Sequence, residues 1–134
     1  MGLLSGKRPT DLGVRDGKLK PAPASPNCVN SQAQDPTHAI APLAYKTTPD
    51  AALRALAEIV RATPRTRIVS QTNDYLYAEY ESALMGFVDD VEFWLPSGEK
   101  IVHVRSASRL GHSDFGVNRK RIEDVRSRLT ASGA

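Results

Sequence analysis

Cysteine, aromatic residues and long apolar runs are all scarce in this chain of 134 residues. Its single cysteine, Cys28, cannot form a disulfide within the chain, which excludes a disulfide-stapled scaffold. No apolar run reaches the roughly 18 residues that a transmembrane helix needs, and Met1 to Arg8 do not have the order of a secretory signal. These absences predict a cytoplasmic protein without a transmembrane segment.

An excess of one charge sign is also missing. The chain has 18 Lys and Arg against 15 Asp and Glu, so its net charge of +3 is too small to indicate a nucleic acid partner. With 40% apolar and 25% charged residues, the composition is that of one small globular domain. A chain of this size buries about two thirds of its unfolded surface, so we expect a core that needs no metal and no cofactor.

The first third of the chain differs from the rest. No aromatic residue precedes Tyr45, and seven of the nine prolines lie within the first 49 residues. Apolar residues such as Leu12, Leu19 and Ile40 recur along this part, which favours an extended segment packed on the domain over a disordered tail. We call residues 1–44 the N-terminal strap and expect residues 45–134 to form an α+β domain, with one domain overall.

The pattern after the strap predicts helix, four strands, helix. Thr48 can cap the first helix and Pro49 suits its first position, and the helix should end before Pro64. A second amphipathic helix is expected at about 118–130. Turn residues separate β-branched and aromatic runs at 66–72, 74–82, 87–95 and 99–109. The order α-β-β-β-β-α predicts an α+β fold with a four-stranded antiparallel meander flanked by two helices.

Two connections set the expected register of the meander. A two-residue turn at Ser97 and Gly98 pairs residues whose numbers sum to 195, including Asp89 with Ser106. A four-residue loop at 83–86 pairs residues whose numbers sum to 169, including Tyr80 with Asp89. Both connections assign the same residues to the core face.

This register creates two polar groups. The core face carries one at its end, formed by Tyr80, Asp89, Ser106 and Ser108. Asp89 is there either a buried carboxylate bonded to its neighbours or the polar floor of a pocket. The outer face carries the other, a row of Glu79, Asp90 and Arg105 beside Glu92 and His103.

The outer row has two interpretations. The first is a solvated structural ion-pair network. The second is a metal site built from Glu79, Asp90, Glu92 and His103. Arg105 in the same row repels a cation, so we expect no metal there.

Charge is segregated along the chain. Residues 74–99 contain seven acids and no base, whereas residues 100–128 contain eight bases and three acids. Arg119, Lys120 and Arg121 fall in the first turn of the second helix, where the helix dipole disfavours cations. Something negative should therefore lie nearby. Two candidates stay open: an internal acid such as Asp89, Asp90 or Asp114, or an external anion held by Arg105, Arg109 and Arg119.

Several motifs resemble those of a bacterial and plastid family, the domains of unknown function numbered 1499 (DUF1499). Residues 8–14 (RPTDLGV) and 25–29 (SPNCV) are similar to the opening of that family. Residues 86–93 (GFVDDVEF) and 105–121 (RSASRLGHSDFGVNRKR) are similar to its two most recognisable blocks. The resemblance implies no assigned activity. It implies that some relatives are lipoproteins or organelle-lumen proteins, and this character would bring membrane proximity. It also implies that these relatives carry a second cysteine near the position of Ala22.

These observations predict a non-enzymatic binding or accessory domain with an anionic ligand, either a small molecule or a lipid head group. The candidate ligand-binding residues are Asp89, Asp90, Arg105, Ser106, Ser108, Arg109, Asp114, Asn118 and Arg119, with Asn118 capping the second helix. One alternative is a small hydrolase or transferase with Asp89 or Asp114 as base and the arginines as a clamp. Another is a purely structural partner protein whose charges form internal pairs.

Overall fold

A computed structural model describes residues 6–111 and 116–134 of the chain. These residues form two helices and six strands, and the α+β class and the two helices are as the sequence predicts. In chain order the elements are β1 (Cys28–Asn30), β2 (Leu43–Ala44), α1 (Pro49–Ala62), β3 (Thr66–Gln71), β4 (Tyr75–Glu81), β5 (Val88–Trp94), β6 (Ile101–Ser108) and α2 (Val117–Ser132).

The sheet is larger than the predicted four-stranded meander. Its strands lie in the order β1-β6-β5-β4-β3, and β2 pairs with the start of β6. The four predicted strands are present, but β1 and β2 come from the expected strap and make the sheet six-stranded. With three and two residues, these strands are too short to show the alternation of apolar and polar side chains that identifies a strand.

The predicted register is confirmed for one hairpin and wrong for the next. Between β4 and β5, Tyr80 lies opposite Asp89 as expected. Between β5 and β6, Asp89 lies opposite Ser108 rather than Ser106, a shift of two residues. The observed pairs centre the turn between Gly98 and Glu99, one residue later than predicted, and Gly98 there adopts a positive φ of 81°. Because the shift is even, each side chain stays on its predicted face.

The helices begin and end close to the predicted positions. Thr48 caps α1, since its hydroxyl accepts a hydrogen bond from the Ala51 N–H at 3.2 Å. The cap of α2, however, is Gly116 with a φ of 81°, and Asn118 lies inside the helix. The predicted capping role of Asn118 is therefore wrong, and its side chain is used elsewhere.

Both faces of the sheet are covered. The apolar core lies between one face and the two helices, and includes Leu56, Leu76, Phe93, Val104 and Ile122. The segment 6–21 contacts the other face, where the Gly13 N–H donates to Glu92 at 2.8 Å and Arg8 binds Glu79. The charged row on that face is thus buried, which corrects the expectation of a solvated network.

Candidate functional site

The outer face holds an ion-pair cluster centred on Glu79, whose side chain is only 1% exposed. Arg8 donates to both carboxylate oxygens, with its Nε 2.7 Å from Oε2. The Nε of Arg67 lies 2.7 Å from Oε1, and Arg109 also donates to Oε2. One buried carboxylate on β4 therefore gathers guanidinium groups from the strap, from β3 and from the end of β6.

Asp90 joins this cluster through Arg109. The Nε of Arg109 lies 2.9 Å from Oδ2 of Asp90 and its Nη2 lies 2.8 Å from Oδ1, a bidentate pair. The hydroxyl of Tyr77 also donates to Asp90. We call Glu79, Asp90, Tyr77, Arg8, Arg67 and Arg109 the outer arginine hub. Its three cations exceed its two carboxylates by one charge.

The protonation of the hub follows from these contacts. Burial alone raises the pKa of Glu79, but the hydrogen bonds from the three arginines outweigh it and hold this pKa at about 2. The hydrogen bond to Asp90 raises the pKa of Arg109 above its ordinary value. Burial and the bond to Asp90 raise the pKa of the Tyr77 hydroxyl. Glu79 and Arg109 are therefore charged at neutral pH, and the Tyr77 hydroxyl is protonated.

Part of the hub is open to solvent. The Arg109 side chain is 4% exposed, whereas those of Arg8 and Arg67 are 49% and 55% exposed. Arg67 lies at a surface cleft with about 470 Å³ of empty space, which we call the β3 cleft. The cleft is lined by Arg65, Thr66, Arg67, Glu79 and Glu81. Arg109 is thus an internal staple, whereas Arg8 and Arg67 are the solvent-facing cations of the hub.

A second polar group lies next to the hub on the same face. The Tyr75 hydroxyl donates to Oε2 of Glu92 at 2.6 Å, and Arg105 lies opposite Glu92 in the register. Burial raises the pKa of Glu92. Both charged side chains are buried, yet Oε1 of Glu92 and Nε of Arg105 have no hydrogen-bond partner among the described residues. Arg105 therefore belongs with Glu92, because the two-residue register shift moved it away from Asp90.

The core face carries the other predicted group, which we call the inner polar cluster. Asp89 pairs with Arg121 at 2.8 Å, and the Arg121 guanidinium lies 4.7 Å from the centre of the Tyr80 ring. The cluster consists of Tyr80, Asp89, Ser106, Ser108, Asn118 and Arg121. It is closed, because Asp89 is only 7% exposed and is already paired with a cation.

Asn118 ties the inner polar cluster together. Its Oδ1 accepts from the Ser106 hydroxyl at 2.5 Å and from Arg121 at 2.8 Å. Its Nδ2 donates to the Ser108 hydroxyl at 3.0 Å and to the Asn27 carbonyl at 3.2 Å. The amide therefore connects α2, β6 and the residue before β1 at a fully buried position.

Arg119, another predicted site residue, lies elsewhere. Its Nη1 donates to the Ala39 carbonyl at 2.8 Å and its Nη2 to the Thr37 carbonyl at 3.3 Å. Two cations near the start of α2 thus have internal partners. Arg121 pairs with Asp89, and Arg119 binds carbonyl groups of the strap. Asp114, the last candidate, lies outside the described residues.

The nine predicted residues therefore do not meet at one place. Asp89, Ser106, Ser108 and Asn118 share the core face, whereas Asp90, Arg105 and Arg109 lie on the opposite face. The candidate ligand-binding residues from the sequence did not include Arg8, Arg67 and Arg121. Arg121 had a signal, since it stands one helical turn after Asn118, but Arg8 and Arg67 are distant in sequence from Glu79 and no local pattern connects them.

One serine and histidine pair was also missed. The Ser31 hydroxyl lies 3.0 Å from Nδ1 of His103 and accepts from the Val104 N–H at 2.8 Å. Burial lowers the pKa of His103, and the Trp94 ring stacks on it with centroids 5.7 Å apart. Because Ser31 is occupied as an acceptor of a backbone N–H, it has the contacts of a structural hydroxyl that links β6 to the strap.

Comparison with known proteins gives one family. A family model described as "Protein of unknown function (DUF1499)" matches residues 18–129. A search of curated proteins finds no match. Among the residues that the structure describes, no helix combines the length and the apolar character needed to cross a membrane.

Proposed function

Because the chain belongs to the DUF1499 family of proteins of unknown function, its role has to be argued from its own residues, and we propose that it is a non-enzymatic binding or accessory domain for an anionic small molecule. The observation that carries this proposal is the half-exposed state of Arg8 and Arg67 around the buried Glu79. We propose the β3 cleft as the docking place.

The β3 cleft and the hub together contain four arginines and three carboxylates, and this net charge of one positive unit supports an anionic ligand. Glu79 is already bonded by three guanidinium groups, so its charge is neutralised locally. Arg67 uses its Nε for Glu79, and Arg65 also lines the cleft. Guanidinium groups bind carboxylates and phosphates in a planar, often bidentate geometry. Fixing Arg67 on a buried carboxylate reduces the side-chain entropy that would be lost on binding such a group.

The contacts of Asp89 favour binding over catalysis. A general base needs a carboxylate within reach of a substrate proton, but Asp89 is 7% exposed and paired with Arg121. Arg109, the predicted clamp, is buried between two carboxylates. Asp89 and Arg109 are therefore both engaged in internal ion pairs.

A thermal-shift experiment tests the proposal with inorganic phosphate, acetate and adenosine monophosphate as probes. We expect at least one anion to raise the melting temperature of the wild type, because ligand at a hundredfold excess over its Kd adds about 2.7 kcal/mol to stability. Arg67→Gln and Arg65→Gln should each reduce the shift. Arg54→Gln, which changes an exposed arginine on α1, is the matched control and should keep it.

Two results would overturn the proposal. One is the absence of any anion-dependent shift in the wild type. The other is a shift that persists in the Arg65→Gln/Arg67→Gln double variant, which would move the binding site away from the β3 cleft. Since Arg65 is not one of the three arginines that bind Glu79, its single variant separates lost binding from a loosened hub.

A further inference from the structure

Exposed large apolar side chains are concentrated at one end of the sheet. Among the described residues, the large apolar side chains that are at least 36% exposed are Leu84, Met85, Phe87, Leu110 and Val117. Leu84 is 94% exposed and Met85 is 56% exposed. Single exposed apolar residues are common on protein surfaces, but a contiguous group indicates an interaction site.

The topology brings these residues together. The first three lie in the connection between β4 and β5. The Arg109 N–H donates to the Val88 carbonyl at 3.2 Å, which places Leu110 beside that connection. Asn118 bonds to Ser108, so Val117 begins α2 at the same end. We call the five residues the apolar end.

The opposite end of the sheet is different. There the turn between β3 and β4 carries Asn73 and Asp74, and the connection between β5 and β6 carries Glu99 and Lys100. These residues are exposed and polar. The molecule is therefore polarised along its strands.

Two exposed lysines border the apolar end. Lys7 follows Gly6, at which an added Cβ would lie 3.2 Å from Cγ of Leu110. Lys120 is one helical turn after Val117 on α2. Arg65 and Glu81 also border this end, where the Glu81 N–H donates to the Arg65 carbonyl, and their charges offset each other. The described residues thus give the apolar end a cationic border.

We propose that the apolar end docks into the interface of a bilayer that contains anionic lipids. Leu84 and Met85 protrude from a connection at this end, and such exposed apolar side chains suit insertion among lipid chains. Lysines beside such a tip are attracted to the negative surface of the bilayer. The argument uses neither the β3 cleft nor the outer arginine hub, so it does not rest on the proposed function.

Vesicle co-sedimentation of the full chain tests this inference. The vesicles are phosphatidylcholine alone or with 30 mol% phosphatidylserine (about the anionic share of a charged membrane leaflet), at low and high salt. We expect binding to the anionic vesicles that weakens at high salt. The Leu84→Ser/Met85→Ser variant should lower the partition coefficient at least about tenfold. Lys7→Gln and Lys120→Gln should lower it about fivefold each.

Controls keep the result decisive. Asn73→Ala/Ser97→Ala changes the opposite end, and Arg54→Gln removes a cation from α1; both should leave binding unchanged. Melting curves establish that each variant is folded. No binding to anionic vesicles, or equal binding by the Leu84→Ser/Met85→Ser variant, would overturn the proposal. Self-association in ultracentrifugation that this variant abolishes, without vesicle binding, would overturn it in favour of an interface with a second copy.

Discussion

Replacing Arg109 by alanine should destabilise the protein far more than removing an exposed arginine. Its side chain is 4% exposed and bonds to Glu79, Asp90 and Tyr77. Without it, Glu79 keeps two guanidinium partners, but Asp90, whose side chain is 3% exposed, keeps only the Tyr77 hydroxyl as a side-chain partner among the described residues. Removing one partner of a buried pair costs about 3–5 kcal/mol, because it leaves an uncompensated charge. We expect a loss near the lower value.

Urea unfolding measures this loss. Arg128→Ala is the matched control, since Arg128 pairs with Asp124 on the surface of α2 and both side chains are about half exposed. Its loss should stay below about 0.5 kcal/mol. Adding Asp90→Asn to Arg109→Ala removes the stranded charge and should recover at least about 1 kcal/mol. A loss below about 1 kcal/mol for Arg109→Ala would refute the view that Arg109 is an internal staple.

Three further perturbations test other parts of the structure. Glu79 has a pKa of about 2 against an ordinary 4.5, so the free energy of unfolding should fall as the pH drops from 4.5 towards 2. After allowance for the half-exposed partners Arg8 and Arg67, we expect a fall of about 2 kcal/mol. Urea titrations should show a smaller fall for Glu79→Gln. His38 lies between the Ser25 carbonyl and Asp35, and its pKa is raised because only the doubly protonated ring can donate to both. The contribution of His38 to stability should be complete below pH 6.5 and should be lost as the pH rises through the raised value. His38→Ala should not show this decline. Asn118→Ala should cost about 2 kcal/mol in the same assay, because the buried Ser106 hydroxyl loses its acceptor while the Ser108 hydroxyl and the Asn27 carbonyl each lose one donor, and a loss under 1 kcal/mol would contradict the role given to this amide.

The sequence predicts most of the main elements and fails where long-range contacts decide. The cap at Thr48 and the four-residue loop before Phe87 are local, so α1 and the pairing of β4 with β5 are confirmed. By contrast, β1 and β2 are defined by long-range pairing with β6, and with three and two residues they have no strand pattern of their own. The turn between β5 and β6 is centred one residue later than predicted, and this displaces the pairing by two residues.

Long-range contacts also decide which residues of the site could be predicted. The segregation of acids and bases correctly indicates that the two halves attract, and Asp90 with Arg109 and Asp89 with Arg121 are such pairs. The two-residue shift of register exchanges Arg105 for Arg109 beside Asp90. The burial of the outer face could not be predicted, because it depends on the segment 6–21 lying across the sheet and bringing Arg8 to a residue 71 positions away.

The most direct test of the central claim is an NMR titration of the Glu79 side-chain carboxyl. If Arg8, Arg67 and Arg109 all bind this buried carboxylate, its pKa should be about 2. Arg67→Gln should raise the value, while Arg54→Gln should leave it unchanged. A carboxyl that titrates at 4.5 or above in the wild type would contradict the account, because burial without the three cations would then dominate.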